Sequence, residues 1–168
     1  MTLMSPLSFV RDPAMWLEAV SRSQATVISA PNFAFDLCIR KVDSERRARI
    51  DLSHVRVAIV GAEIVHWSTL SAFSALYAAN GLRASALRPS WGMAESVLMI
   101  SSTPTTDGGP LAISFTRESL SEGMRVVPCS GNAERAVVLV GNGAPVDGAQ
   151  VVAVDRNSFT ALSDGVVG

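Results

Sequence analysis

Lysine is almost missing from this sequence. Lys41 is the only one among 168 residues, so chemistry that needs a lysine must use Lys41 or lie outside the chain. Charged residues of both signs are scarce at 17%, against roughly 25% in an ordinary soluble domain, and the formal net charge is −1. There is no basic field to hold nucleic acid and no basic amphipathic stripe to hold a membrane surface. Apolar residues reach 48% and mean hydropathy is +0.31, which excludes disorder. Yet no apolar run attains the ~18–20 residues that a membrane span requires. The first ten residues have neither a basic segment nor a long apolar one, so they do not read as a signal peptide, and the cytoplasm is the expected compartment. The length suits one domain or a piece of a larger one. With so few charges, part of the surface is expected to be covered by something outside this sequence.

Cysteine and histidine are also sparse, with two of each. Cys38 and Cys129 form no CxxC and no metal-ligand spacing; they read as ordinary thiols, with one disulfide as the alternative. His54 and His66 have no nucleophile and carboxylate at motif spacing and no second histidine at i+4, so both read as surface or structural residues. No GxxxxGK[ST] loop is present. Gly141-Asn142-Gly143 follows a strand-like run, but Val146 replaces the third glycine of a dinucleotide fingerprint. Pro145 occupies the place where the phosphate-binding helix would start, so this segment reads as a turn.

The residues that are present alternate between strand and helix patterns. Asp12-Pro13 predicts a helix opening capped by Asp12, with Met15, Trp16, Ala19 and Val20 on one face. Residues 25–30 form a short β-rich run. Pro31 begins a second helical stretch through Phe33, Phe35, Leu37 and Cys38, with Cys38 read as core. Residues 40–49 are a charge run, read as a solvated helix face and loop. Residues 55–60 are the clearest strand, apolar on both faces, as in a parallel sheet covered on both sides. Residues 67–79 are helical and stop at Asn80-Gly81. Residues 84–87 predict a strand broken by Pro89–Gly92, and 93–100 a helical turn or a further strand. From 101 to 110 the composition is that of a loop, and four short β-type runs follow at 111–115, 125–128, 136–140 and 149–154. The expected class is α/β: a layered, mostly parallel sheet with helices, followed by small β-rich segments.

Two segments sit just past strands, where open α/β sheets bind ligands. Gly61-Ala62-Glu63 would let a flat ligand approach the backbone closely. In Pro89-Ser90-Trp91-Gly92-Met93-Ala94-Glu95, Trp91 offers an aromatic face and Glu95 a hard oxygen ligand. On composition alone these two are a packing indole and a surface carboxylate.

A resemblance adds to that reading. The stretches SPLSFVRDPAMWLEAVSRSQAT, SAPNFAFDLCIRKV, DLSHVRVAIVGAEIV, RPSWGMAES and VDGAQVVAVDRNSFTALSDGVVG resemble, in order, the fatty acyl-AMP ligases of the adenylate-forming superfamily. The resemblance implies that Trp91, at the aromatic position of the family's YGxAE motif, stacks on adenine, with Ser90, Gly92 and Met93 beside it, and that Glu95 binds Mg²⁺ near the ATP phosphates. Gly61, Ala62 and Glu63 would line the adenine and the carboxylate end of the acyl chain; Asn32, Phe33 and Phe35 would border the acyl tunnel. Trp91 replaces the usual tyrosine, and Ile64 stands where proline is common. Residues 1–104 would be the α/β part of the AMP-binding domain, 105–138 an insertion that restrains the mobile C-terminal domain, and 139–168 the start of a β-rich subdomain.

The implied reaction joins a long-chain fatty acid to ATP and passes the acyl group to an acyl carrier protein of a polyketide or peptide synthase. The family's phosphate loop, its ribose-binding aspartate, its hinge and its catalytic lysine have no counterpart here, and Lys41 does not match that lysine. The chain is therefore expected to be a fragment that lacks the family's other subdomains, holds no catalytic residue of its own and is inactive alone. Two alternatives stay open: a fragment of a fatty acyl-CoA ligase, in which 105–138 is an ordinary surface loop, and a non-catalytic nucleotide-binding module.

Overall fold

A computed structural model describes residues 2–104, 108–131 and 134–168. The chain opens with α1 (Pro6–Arg11) and α2 (Ala14–Arg22), followed by β1 (Val27–Ala30), α3 (Asn32–Lys41) and the single turn α4 (Ser44–Arg47). Then come β2 (Val57–Val60), α5 (Trp67–Tyr77), β3 (Leu87–Trp91), β4 (Ser101–Ser102), β5 (Ala112–Thr116), β6 (Ala136–Val140) and β7 (Ala144–Pro145). The main sheet runs β1-β2-β3-β4-β7. Its first three strands are parallel, with Ile28 beside Ala58 and Val60 beside Pro89, and β4 and β7 add on antiparallel. A separate antiparallel pair joins β5 to β6. The expected α/β class is observed.

Ala58, Val60 and Leu87 bury one face of the parallel strands in a cluster with Leu17, Phe35, Cys38, Leu70, Phe73 and Tyr77. Trp16, Phe35, Phe73 and Tyr77 form a continuous aromatic row with centroid spacings of 5.5, 5.0 and 4.5 Å. The first two contacts are edge-to-face and the third is tilted; edge-to-face pairs add about 0.5–1.5 kcal/mol each beyond their area. The α5 helix gives way at Ala78 to a 3₁₀ turn over Ala78–Asn80, which stops at Gly81, in the left-handed region at φ 84°.

Several expectations are corrected. β1 and β2 are deeply buried on one face only, since Val57 and Ile59 alternate out of the core and Val27 is 59% exposed, whereas Leu87–Ser90 of β3 are buried on both faces. The buried face of α2 is Ala14, Leu17 and Val20, and Met15 points outward. The Asp12 side chain does not cap α2; Asp12 ends α1, and its carboxylate accepts from Arg46 Nη1 at 2.7 Å. Pro89 does not break β3 but lies inside it, because its carbonyl still accepts from the Thr103 backbone and hydroxyl at 3.1 Å and proline removes only a donor. Residues 84–86 form a 3₁₀ turn, as do 94–96. The runs 125–128 and 149–154 pair only through single bridges, at Arg125, Pro128 and Val154. The expected 105–138 segment takes in β5 and the first residues of β6 and includes residues outside those described. No described helix is long and apolar enough to cross a membrane.

The charge run at 40–49 is more than a solvated face. Arg46 donates to Glu18 at 2.8 Å as well as to Asp12, tying α4 to α2. The hydrogen bond from Arg46 holds the Glu18 carboxyl below its ordinary range. A depressed carboxylate stabilises the fold above its unfolded pKa, and that stabilisation disappears as pH falls through the folded value. Glu18→Gln is expected to flatten the acid limb of a stability-versus-pH curve below about pH 4.5. It should lower stability at pH 7 by no more than about 1 kcal/mol, since the cluster is about a third exposed. Urea midpoints taken across pH 3–7 check both.

Candidate functional site

The C-terminal ends of β1, β2 and β3 open on a cleft of about 290 Å³, with Ala30, Ile59, Gly61, Ala62, Ser90 and Trp91 among its walls. Ala62, Ser90, Trp91 and Gly92 also form one side of a neighbouring hollow of about 620 Å³, closed by Ile64, Val65 and Val137–Val140. Trp91 therefore stands on the partition between two cavities, 42% exposed. Its backbone carbonyl accepts from Ile100 at 2.9 Å, which fixes the strand end beneath the ring.

Glycine is demanded at two places. A Cβ on Gly61 would come within 2.6 Å of the Ser90 carbonyl oxygen, and one on Gly92 would collide with the Leu98 carbonyl. The close approach of β2 and β3 at the cleft floor thus depends on Gly61. The next residue, Ala62, is held at φ 65°, a conformation that opposes an L side chain by roughly 1–2 kcal/mol.

A pair of side chains holds that loop in place. Asn32, buried at the start of α3, accepts from the His66 backbone N–H at 3.0 Å and donates to Thr69 at 3.4 Å. Glu63 turns back and accepts the Phe33 N–H at 2.6 Å, satisfying an otherwise orphaned donor in the first turn of α3 with a negative charge at the favourable helix end.

The structure brings Gly61, Ala62, Ser90, Trp91 and Gly92 together as the sequence predicts. Ser90 is mostly buried, its hydroxyl occupied by Ser102 at 2.8 Å and the Arg88 carbonyl at 3.1 Å. Glu63 points its carboxylate at α3, not into the cleft. Met93 faces a third hollow, shared with Trp91 and residues 146–152. Glu95 is exposed on the 94–96 turn and makes no hydrogen bond or ion pair among the described residues.

The residues expected to border an acyl tunnel are dispersed. Phe33 is 48% exposed with its ring 6.3 Å from Phe9. Asn32 is the loop clamp just described. Phe35 is wholly buried between Trp16 and Phe73 and borders no cavity there, because its position on α3 faces α5. Among the described residues no group of three or more His, Cys, Asp and Glu is placed to hold a metal. Burial pushes the Cys38 thiol up to about 12, so it is packing and not a nucleophile, and neither cysteine is in a disulfide. Lys41 reaches the Val10 carbonyl at 3.5 Å, and the Gly141–Gly143 segment is the turn from β6 to β7. Sequence reasoning missed Leu98, Met99 and the β6 wall. Leu98 and Met99 sit in an irregular loop with φ 55° at Val97 and 93° at Leu98, which no periodicity announces.

The family of AMP-binding enzymes matches residues 1–168. The chain belongs to that family. Its relatives include the long-chain-fatty-acid–AMP ligase FadD26 of Mycobacterium tuberculosis, 34% identical over 99% of this chain and 28% of that protein. The medium-chain-fatty-acid–[acyl-carrier-protein] ligase JamA of Moorena producens is 35% identical over 94% of this chain and 26% of that one. The crystal structure of a fatty acyl-adenylate ligase from L. pneumophila in complex with acyl adenylate and pyrophosphate superposes with a TM-score of 0.88, at 27% identity over 97% of this chain and 28% of that one. The resemblance read from the five stretches is thus borne out, and this AMP-binding chain spans about 28% of the length of such relatives.

Gly61→Ala is expected to destabilise the chain by about 1–3 kcal/mol, since the obstructing atom is backbone and cannot rotate away. A drop in urea midpoint at unchanged slope is the expected readout.

Proposed function

We propose that the cleft holds the adenosine of ATP, with the base stacked on Trp91 against Gly61 and Ala62, and that the whole protein activates a long-chain fatty acid as its acyl-adenylate. The observation that carries this reading is the half-exposed indole at the C-terminal edge of a parallel sheet, on the partition between two hollows. The smaller hollow suits a purine. The larger one, walled by Ile64, Val65 and β6, suits the first carbons of an acyl chain, with Phe33 as an outer apolar contact; Asn32 and Phe35 act from behind the wall. Support comes from the names of relatives, which pair fatty acids with AMP and with acyl carrier protein.

In the proposed reaction a fatty carboxylate oxygen attacks the α-phosphorus of ATP. The bond to the bridging oxygen breaks, pyrophosphate leaves with its electron pair, and a mixed anhydride remains. The acyl group then passes to the phosphopantetheine thiol of a carrier protein, releasing AMP. The chain's own share is binding and orientation: Trp91 fixes the base, Gly61 permits its close approach, and Asn32 and Glu63 hold the loop that carries Ala62. Glu95 fits Mg²⁺, because a lone, solvated carboxylate suits an ion that keeps most of its ligands as water and phosphate oxygens. Mg²⁺ would neutralise charge on the phosphates. Residues 105–138, whose described part includes β5 and the start of β6, form the proposed restraint on a C-terminal domain, which favours adenylate over thioester as the product. Dependence on ATP and carrier proteins makes the cytoplasm the proposed compartment.

The 168-residue chain, without a phosphate loop or a free lysine at the cleft, is proposed to bind nucleotide without adenylating. Purified chain given ATP, Mg²⁺ and a long-chain fatty acid should release no pyrophosphate. Calorimetric titration with AMP should show one site, weakened about 5- to 150-fold by Trp91→Ala, since base stacking contributes roughly 1–3 kcal/mol. Trp91→Tyr should retain most of the affinity. AMP affinity unaltered in Trp91→Ala would sink the assignment.

A further inference from the structure

We infer that the chain carries a second ligand site, for a phosphate-class dianion, at the opposite end of the parallel strands. A cavity of about 380 Å³ opens where β1, β2 and β3 begin, and its walls include Thr26, Arg56, Arg83, Ser85 and Arg88. It shares no lining residue with the nucleotide cleft, and it does not depend on the reading of that cleft. The strand register assembles it. The Arg56 backbone N–H donates to the Thr26 carbonyl at 2.8 Å, and the turn before β3 is closed by Ala86 donating to the Arg83 carbonyl at 2.9 Å.

Three arginines therefore line one hollow. Among the described residues none of the three is paired with a carboxylate, whereas Arg40, Arg46 and Arg49 each hold at least one. Arg88 is only 3% exposed. Its Nη1 donates to the Pro104 carbonyl, and its Nε is buried with no partner. An arginine keeps its charge at any physiological pH, and a buried cation without a counter-charge is strongly unfavourable. The Thr26 and Ser85 hydroxyls make no hydrogen bond among the described residues, so they remain as neutral donors at the rim. Fork-shaped donors around a concave, polar hollow match the several oxygens of a tetrahedral dianion. A dianion also balances this density of positive charge better than a single carboxylate does.

The test is a titration of the full chain with inorganic phosphate at pH 8, ionic strength held constant with sodium chloride, read by ³¹P line broadening and by calorimetry. One saturable site is expected. Arg56→Gln and Arg83→Gln alter exposed side chains and should leave the fold intact while weakening binding by about tenfold each. Arg88→Gln should remove binding, and if that variant does not fold the two exposed positions still decide the matter. A general salting effect of phosphate would not saturate and would survive in the variants. Absence of saturation, or saturation unaltered in the Arg56→Gln/Arg83→Gln double variant, overturns the proposal. A parallel titration with O-phosphoserine reads the source of the dianion: tighter binding than inorganic phosphate supports a phosphate borne on a larger molecule, and weaker binding supports the free ion.

Discussion

The edge-on contact between Phe35 and Phe73 joins the two helices that cover the parallel strands, at 5.0 Å between ring centres. Everything at the cleft hangs from that join. The start of α3 and the start of α5 lie on either side of the loop that leaves β2, and they can clamp it through Asn32 and Glu63 only while the helices keep their spacing. Trp16 and Tyr77 extend the aromatic row in both directions, so the constraint runs from α2 to the end of α5. A chain with a single lysine and few ion pairs relies on such packing for its rigidity.

The cleft itself is made by backbone geometry more than by reactive side chains. Gly61 lets β2 press against the Ser90 carbonyl, and Gly92 lets the loop after β3 fold back under Leu98. Ala62, Val97 and Leu98 hold positive φ angles that oppose their side chains, and the surrounding hydrogen bonds keep them there. Strain of this kind gathers where a backbone is shaped to meet a ligand. The side chains the cleft does present are flat or apolar, which suits a purine and an alkyl chain. The phosphate chemistry of the proposed reaction needs cationic donors, and none of the residues that line this cleft is cationic.

Charge is concentrated at the other end of the sheet. Arg56 lies before β2, and Arg83 and Arg88 flank the start of β3; they become neighbours because β2 and β3 are parallel and start level with one another. The same register that sets Gly61 beside Ser90 at one edge sets the arginines together at the other. One sheet thereby offers two hollows of opposite character, an apolar one at its C-terminal edge and a cationic one at its N-terminal edge.

Much of this was legible in the residues alone. The apolar run of β2, the helical run of α5 with its stop at Asn80-Gly81, and the Gly61 segment just past β2 all follow from short-range periodicity and turn chemistry, and the motif order identified the family. Other features lay beyond its reach: that Pro89 sits within a strand, that α2 turns Leu17 inward and Met15 outward, that Phe35 packs between Trp16 and Phe73, that Glu63 accepts from the first turn of a helix thirty residues upstream, and that Arg56 shares a cavity with Arg83 and Arg88. Periodicity reports which residues avoid water, because that preference is local to each side chain. Which partner a buried or charged group meets is settled by strand register and helix packing, and those are properties of the whole folded chain.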